Sequence, residues 1–139
     1  MKNPTRHARA LAALAIGLFV VVGTACSPED MATYMNITAQ ARAGIDAASR
    51  LPGAPSDATL ARLRNCESHG NYHAISRSGT YRGAYQFNQS TWNNVARSVL
   101  PNWVGADPAS APDYIQDAHA RALWSMSGSH SWPVCGRGA

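Results

Sequence analysis

Glu67 is one of two glutamates in the 139-residue chain and directly follows Cys66 in "RNCESHGNY", residues 64–72. A helical pattern ends there, at Gly70-Asn71, which places the carboxyl group near a helix C-terminus. The negative end of a helix dipole disfavours a carboxylate at that position. Tyr72, Tyr85, Phe87 and four tryptophans supply apolar surface that could surround it. A carboxyl group in such surroundings stays protonated up to about pH 6. The chemistry open to it is proton donation to the oxygen of a glycosidic bond. The plainer alternative is a solvated charge at a frayed helix end, and the local residues leave both open.

Other residue types with chemical potential are weaker candidates. His69 and His73 are four apart, the spacing of a metal pair on a helix. Gly70 and Asn71 lie between them and no third ligand is evident, so loop histidines without metal are expected, and no cofactor. His69 is close enough in sequence to tune Glu67. Hydrolysis of a glycosidic bond normally uses two acids. Asp107, Asp113 and Asp117 lie in a Pro-rich loop or the helix after it, where a cap or a solvated face accounts for them. Trp92, Trp103, Trp124 and Trp132 could stack on sugars, but most are expected in the core. Trp124 is expected to be buried and one of the others to line a cleft.

The elements that must position these groups are three helices and a small β element. "SDATLARLRNCE" reads as a helix capped by Ser56 or Asp57, with Leu60 and Leu63 inward. "ISRSGTYRGAYQFN", punctuated by Gly79 and Gly83, reads as two short strands or an irregular hairpin. "QSTWNNVARSVL" reads as a second helix, capped by Ser90 or Thr91 and ended by Pro101, with Trp92, Val95 and Val99 inward. A third helix is predicted over 112–127, with Ile115, Ala118, Ala122 and Met126 inward and Leu123 adjacent. The expected class is α+β, mainly α.

The ends of the chain add context. Lys2, Arg6, His7 and Arg9 precede an apolar run from Ala10 to Val22 and the small residues of "GTAC". This reads as a secretory signal over residues 1–25, with an uncleaved anchor as the alternative; the run is short for a membrane span. Without it, nine arginines face eight acids and no lysine remains. That balance gives no basic surface for tracking nucleic acid. Residues 26–56 are rich in Ala, Ser, Thr and Pro and read as a tether, partly helical, with a weak apolar face from Met31, Tyr34, Met35 and Ile37.

Two of the three cysteines of an exported chain should pair. Cys66 and Cys135 bracket the remaining domain, residues 57–136, and form the natural couple. Closing a loop of about 70 residues contributes roughly 4 kcal/mol on the chain-entropy account. Cys26, first after the cleavage point, resembles the lipid-modified residue of bacterial lipoproteins, which implies membrane anchorage. Gly23 stands where such signals usually carry Leu, and plain cleavage instead leaves a free thiol.

"LRNCESHGNY", "YRGAYQFNQSTW" and the closing "WPVCG", in that order, resemble the resuscitation-promoting factor domain. That family has a small lysozyme-like fold, occurs in secreted cell-wall enzymes and is related to the lytic transglycosylases. The resemblance implies a lysozyme-like domain with one disulfide, Cys66–Cys135, and Glu67 as catalytic acid. It implies substrate contacts from Gln86 and Thr91, and a groove-side or core place for Trp92. Asn88, where some relatives carry Asp, and Trp92 are assigned to the same substrate-binding set. The chain departs from the pattern at His69, where Gly is usual, at Ala84-Tyr85, and at Leu60, where Trp is common. His69 and Tyr85 mark the positions where substrate preference could differ.

The reading that follows is an exported, cell-wall-associated lytic transglycosylase, lipid-anchored if Cys26 is acylated. Its substrate would be the β-1,4 bond between N-acetylmuramic acid and N-acetylglucosamine in peptidoglycan, and other cell-wall hydrolases would be its natural company. One protein acid suffices for that reaction, because the substrate's N-acetyl and 6-hydroxyl groups complete it. The alternatives are a hydrolytic muramidase with an aspartate partner, or a wall-binding or signalling domain with weakened catalysis.

Overall fold

A computed structural model describes residues 27–138. The expected secretory signal, residues 1–25, and Cys26 lie outside the described residues. Four α-helices run in the order α1 (Pro28–Ser49), α2 (Asp57–Ser68), α3 (Gln89–Val99) and α4 (Asp113–Ser127). Short 3-10 turns occupy Pro101–Trp103, Pro108–Ser110, Gly128–Ser131 and Cys135–Gly138. The result is a mainly α domain with a minimal β element.

The segment expected as a tether is helical over 22 residues. Ser27 and Asp30 form a reciprocal capping box at its start, which satisfies two of the unpaired N–H groups. Its second half packs on the core through Ala41, Gly44 and Ala48. A Cβ added at Gly44 would come within 2.5 Å of both Leu100 and the Val99 carbonyl, so only glycine permits this approach. A stripe of such small residues carries little hydrophobic signal, and the contact is invisible in the pattern.

Ser56 caps α2 through the Thr59 N–H at 3.1 Å, while Asp57 instead pairs with Arg121 of α4. The cap of α3 is Asn88, not Ser90 or Thr91. Asn88 has extended backbone and accepts from the Thr91 N–H at 2.8 Å, while Ser90 and Thr91 already lie in the first helical turn. Between α2 and α3 the β element consists of two isolated bridges, Ile75 with Arg82 and Arg82 with Phe87. Turns at Gly79 and Gly83, both with positive φ, reverse the chain before a longer ladder can form.

The core centres on Leu60, Leu63, Tyr85, Phe87, Trp92, Val95, Ile115 and Trp132. Two polar side chains of α4 are buried among them, and one is fully bonded. Gln116 accepts from the Ala84 N–H at 2.8 Å and donates to the carbonyls of Tyr72 and Ala111 at 3.0 and 2.9 Å. One amide thereby ties three loops to α4. His119 stacks on Trp92 with ring centroids 3.5 Å apart, and its Nδ1 lies 2.9 Å from the Ile115 carbonyl. Its Nε2 has no partner, and burial pulls its pKa down to about 4.

Two inward assignments shift. Met126 is exposed, because the buried stripe of α4 ends one turn earlier at Ala122. Trp124 is only half-buried, stacked against Trp132, which takes the interior place.

Candidate active site

The end of α2 is held from both sides of Glu67. Cys66 is bonded to Cys135 in the closing turn. Ser68 Oγ donates to the Ala84 carbonyl at 2.9 Å and also reaches back to the Arg64 carbonyl at 3.1 Å. His69 then ends the helix with φ +56° and ψ +30°, its N–H bonded to the Arg64 and Asn65 carbonyls. This left-handed position is the reason a glycine is favoured there.

Two adjoining cavities of about 460 and 520 Å³ open beside these anchors. They share walls formed by Tyr81, Gln86, Asn88, Ser131 and Trp132 and together make one groove. Glu67 lines one lobe, with Pro133, Val134 and Cys135 around it. Thr91 lines the other, on the exposed side of α3 with Asn94 and Ser98. The structure therefore brings Glu67, Gln86, Asn88 and Thr91 to a common groove.

Glu67 is half-buried and makes no hydrogen bond or ion pair among the described residues. Burial raises its pKa, since the charged form loses hydration with nothing to replace it. Such a group can hold a proton and release it to a bound oxygen.

Gln86 stands at the junction of the lobes in a conformation rare for a side-chain-bearing residue, φ +51°. It costs about 1–2 kcal/mol and is held by its own turn: both its N–H and its Nε2 donate to the Gly83 carbonyl. Its Oε1 makes no hydrogen bond among the described residues and remains available to a ligand. Asn88 is half engaged, its Oδ1 capping α3 and its Nδ2 free of any internal partner.

Trp92 differs from these three. It is fully buried, donates from Nε1 to the Trp103 carbonyl at 2.9 Å, and packs edge-on to Phe87. It supports the groove floor and has no face to offer a ligand. Tyr85 is likewise fully buried, and its hydroxyl donates to Asp117 at 2.5 Å and receives Arg64 at 3.3 Å. Tyr72 also donates to Asp117, at 2.8 Å, and burial with this contact pushes its pKa up to about 12. The departure at position 85 thus builds a buried link between α2, the turn carrying Gln86 and α4.

The three aspartates all lie away from the groove. Asp107 makes a bidentate pair with Arg82, at 2.6 and 2.7 Å, which holds its pKa down to about 2. Asp117 belongs to the tyrosine network, and Asp113 borders a separate cavity with Tyr72 and His73. His69 lines neither lobe. His73 directs Nδ1 to the Ala109 carbonyl at 2.9 Å. Among the described residues no three His, Cys, Asp or Glu side chains cluster to hold a metal ion.

Tyr81, Ser131, Pro133 and Val134 line the groove without having been expected there. Three of them flank Trp132 and Cys135, so the bridge from Cys135 to the neighbour of Glu67 was the available signal. Trp132 is the tryptophan that reaches the groove.

Residues 54–135, more than half the chain, match the family described as the transglycosylase-like domain. The chain belongs to that family. Its curated relatives include "Probable transglycosylase SceD" of Staphylococcus aureus strains Newman and COL, each 40% identical over 76 residues. That match covers 55% of this chain and 32% of each relative, so the chain spans about a third of their length. No solved structure matches the chain significantly. As a transglycosylase-like domain it carries no helix, among the described residues, long and apolar enough to cross a membrane.

Proposed function

We propose that this domain is an exported lytic transglycosylase of the resuscitation-promoting factor type, cleaving the β-1,4 bond between N-acetylmuramic acid and N-acetylglucosamine. The observation that carries the reading is that, among the described residues, Glu67 is the one carboxyl in the groove: it is half-buried with a raised pKa, and Asp107, Asp113 and Asp117 all lie elsewhere. Two-acid hydrolysis lacks its second group in this arrangement.

Protonated Glu67 donates its proton to the glycosidic oxygen as the bond to C1 breaks. The substrate's N-acetyl oxygen closes on C1 and balances the developing positive charge. The Glu67 carboxylate then removes the proton of the C6 hydroxyl, whose oxygen attacks C1 as the bond from C1 to the N-acetyl oxygen breaks and the acetamide is regenerated. The acid is restored and the product ends in a 1,6-anhydro ring. Gln86 through Oε1, Asn88 through Nδ2 and Thr91 through its hydroxyl bind the flanking sugars. Export rests on the leader at residues 1–25, and acylation of Cys26 would fasten the domain to the outer face of the membrane.

Digestion of purified peptidoglycan by the wild type and by Glu67→Gln, with mass analysis of released muropeptides, tests this. Anhydro products that vanish in the variant support it. Products with reducing ends make the enzyme a muramidase, and the absence of turnover by the wild type sinks the enzymatic reading.

A further inference from the structure

Three tyrosines are the aromatic side chains most exposed among the described residues: Tyr34 at 67%, Tyr114 at 55% and Tyr81 at 49%. Tyr81 lines the groove of Glu67. The other two line a second groove, of about 430 Å³, between α1 and the start of α4. Its remaining walls are Thr38, Ala41, Arg42 and Ile45, and it shares no residue with the groove of Glu67.

The two sites are well separated on α4. Tyr114 and Leu123, which lines the far lobe of the first groove, are nine residues apart. That is two and a half helical turns, or about 14 Å along the axis, and it puts them on opposite faces. Both phenol hydroxyls are free of internal partners among the described residues. Arg42 is exposed and makes no ion pair there, while the neighbouring Asp46 pairs with Arg50 at 3.9 Å.

We propose that this groove is a second glycan-binding site, which takes a carboxylate-bearing stretch of peptidoglycan between Tyr34 and Tyr114 with the anion on Arg42. Aromatic rings present flat apolar faces to the C–H faces of sugars, and their hydroxyls meet the sugar hydroxyls. An unpaired guanidinium matches a carboxylate in a bidentate fork. The stem peptides, and the lactyl group of muramic acid wherever its peptide has been removed, supply carboxylates that a neutral chitin-type polymer lacks. The identity of the polymer rests on the proposed function; the groove itself does not. A site of this kind would keep the domain on the polymer while the groove of Glu67 engages one bond.

Co-sedimentation with teichoic-acid-free sacculi tests the inference, using Glu67→Gln protein so that cleavage does not intrude. Adding Tyr34→Ala with Tyr114→Ala should weaken binding about tenfold or more, and Arg42→Glu alone should also weaken it. Sacculi whose carboxyls have been converted to amides should bind less to the parent and no less to Arg42→Glu, whose carboxylate they no longer repel. All these side chains are exposed, so melting temperatures should stay within a few degrees of the parent. Unchanged affinity in the double tyrosine variant overturns the proposal. So does binding to anionic phospholipid vesicles that is lost with the tyrosines, which would make the face a membrane contact. The result is independent of turnover: a wild type that cleaves nothing refutes the proposed enzyme while leaving the binding comparison intact.

Discussion

Ser68 Oγ donates to the carbonyl of Ala84 at 2.9 Å, joining the end of α2 to the turn that carries Gln86. With the disulfide at Cys66 it makes Glu67 the middle of three consecutive residues of which the outer two are tied to different parts of the domain. In the proposed reaction the proton donor has to lie within about 3 Å of the oxygen it serves, so this double attachment would bear directly on the rate. Ser68→Ala leaves the Ala84 carbonyl without this donor and should destabilise the fold by about 1–2 kcal/mol. Kinetics on a soluble glycan should show kcat falling more than KM rises, and denaturant melts give the stability term.

Glu67 itself should behave as a group that opposes folding once charged. Its raised pKa means the folded state keeps the proton at a pH where the unfolded chain has lost it. Stability therefore falls as pH rises through the interval between the unfolded and folded values. Glu67→Gln removes that loss, and the variant should be more stable than the wild type at neutral pH and not at pH 3. Under the proposed mechanism activity should decline as pH rises through the folded pKa, because there the acid must start protonated. Urea melts at both pH values and a pH–rate profile check the two halves.

His119 carries the opposite sign. It is buried in its neutral form with a pKa of about 4, whereas the unfolded chain protonates it near 6.5. Between those values the unfolded state binds more protons, so stability drops as pH falls from 6.5 to 4. The contribution lost is roughly 3 kcal/mol. His119→Phe keeps a ring against Trp92 and should flatten the pH dependence in this window, whatever it does to stability at pH 7. Chemical denaturation of both proteins at pH 7 and 4.5 reads the difference.

His69 occupies a left-handed backbone position that favours glycine. Relief of that strain is partly offset by the greater freedom of glycine in the unfolded chain. His69→Gly should therefore be more stable by about 0.5–1 kcal/mol, a small rise in melting temperature detectable by calorimetry. A loss of stability would show that the imidazole makes a contact worth more than the strain.

Much of this architecture was legible in the residues. Leu60 and Leu63 on α2, Val95 on α3, and Ile115, Ala118 and Ala122 on α4 follow from helical spacing, because each helix buries one stripe. The break after Ser68 follows from Gly70-Asn71, and the pairing of Cys66 with Cys135 from their bracketing positions. The packing of α1 was not legible, since Ala41, Gly44 and Ala48 act by being small. Nor was the cap of α3, where three neighbouring residues, Asn88, Ser90 and Thr91, could each have served and only backbone geometry chooses.

The candidate site divides along the same line. The residue types were present in sequence: one glutamate beside a cysteine, a glutamine between two aromatics, a threonine at a helix start. Sequence alone narrowed the chemistry to consider, because a carboxyl at a helix C-terminus among apolar residues can hold a proton to donate. Tertiary structure decided which groups share the groove. Trp92 and Tyr85 went into the core, and the aspartates were taken up by Arg82, by the tyrosines and by the first turn of α4. Side chains separated by tens of residues meet only through packing, whose energy depends on shape and burial across the whole domain rather than on local pattern.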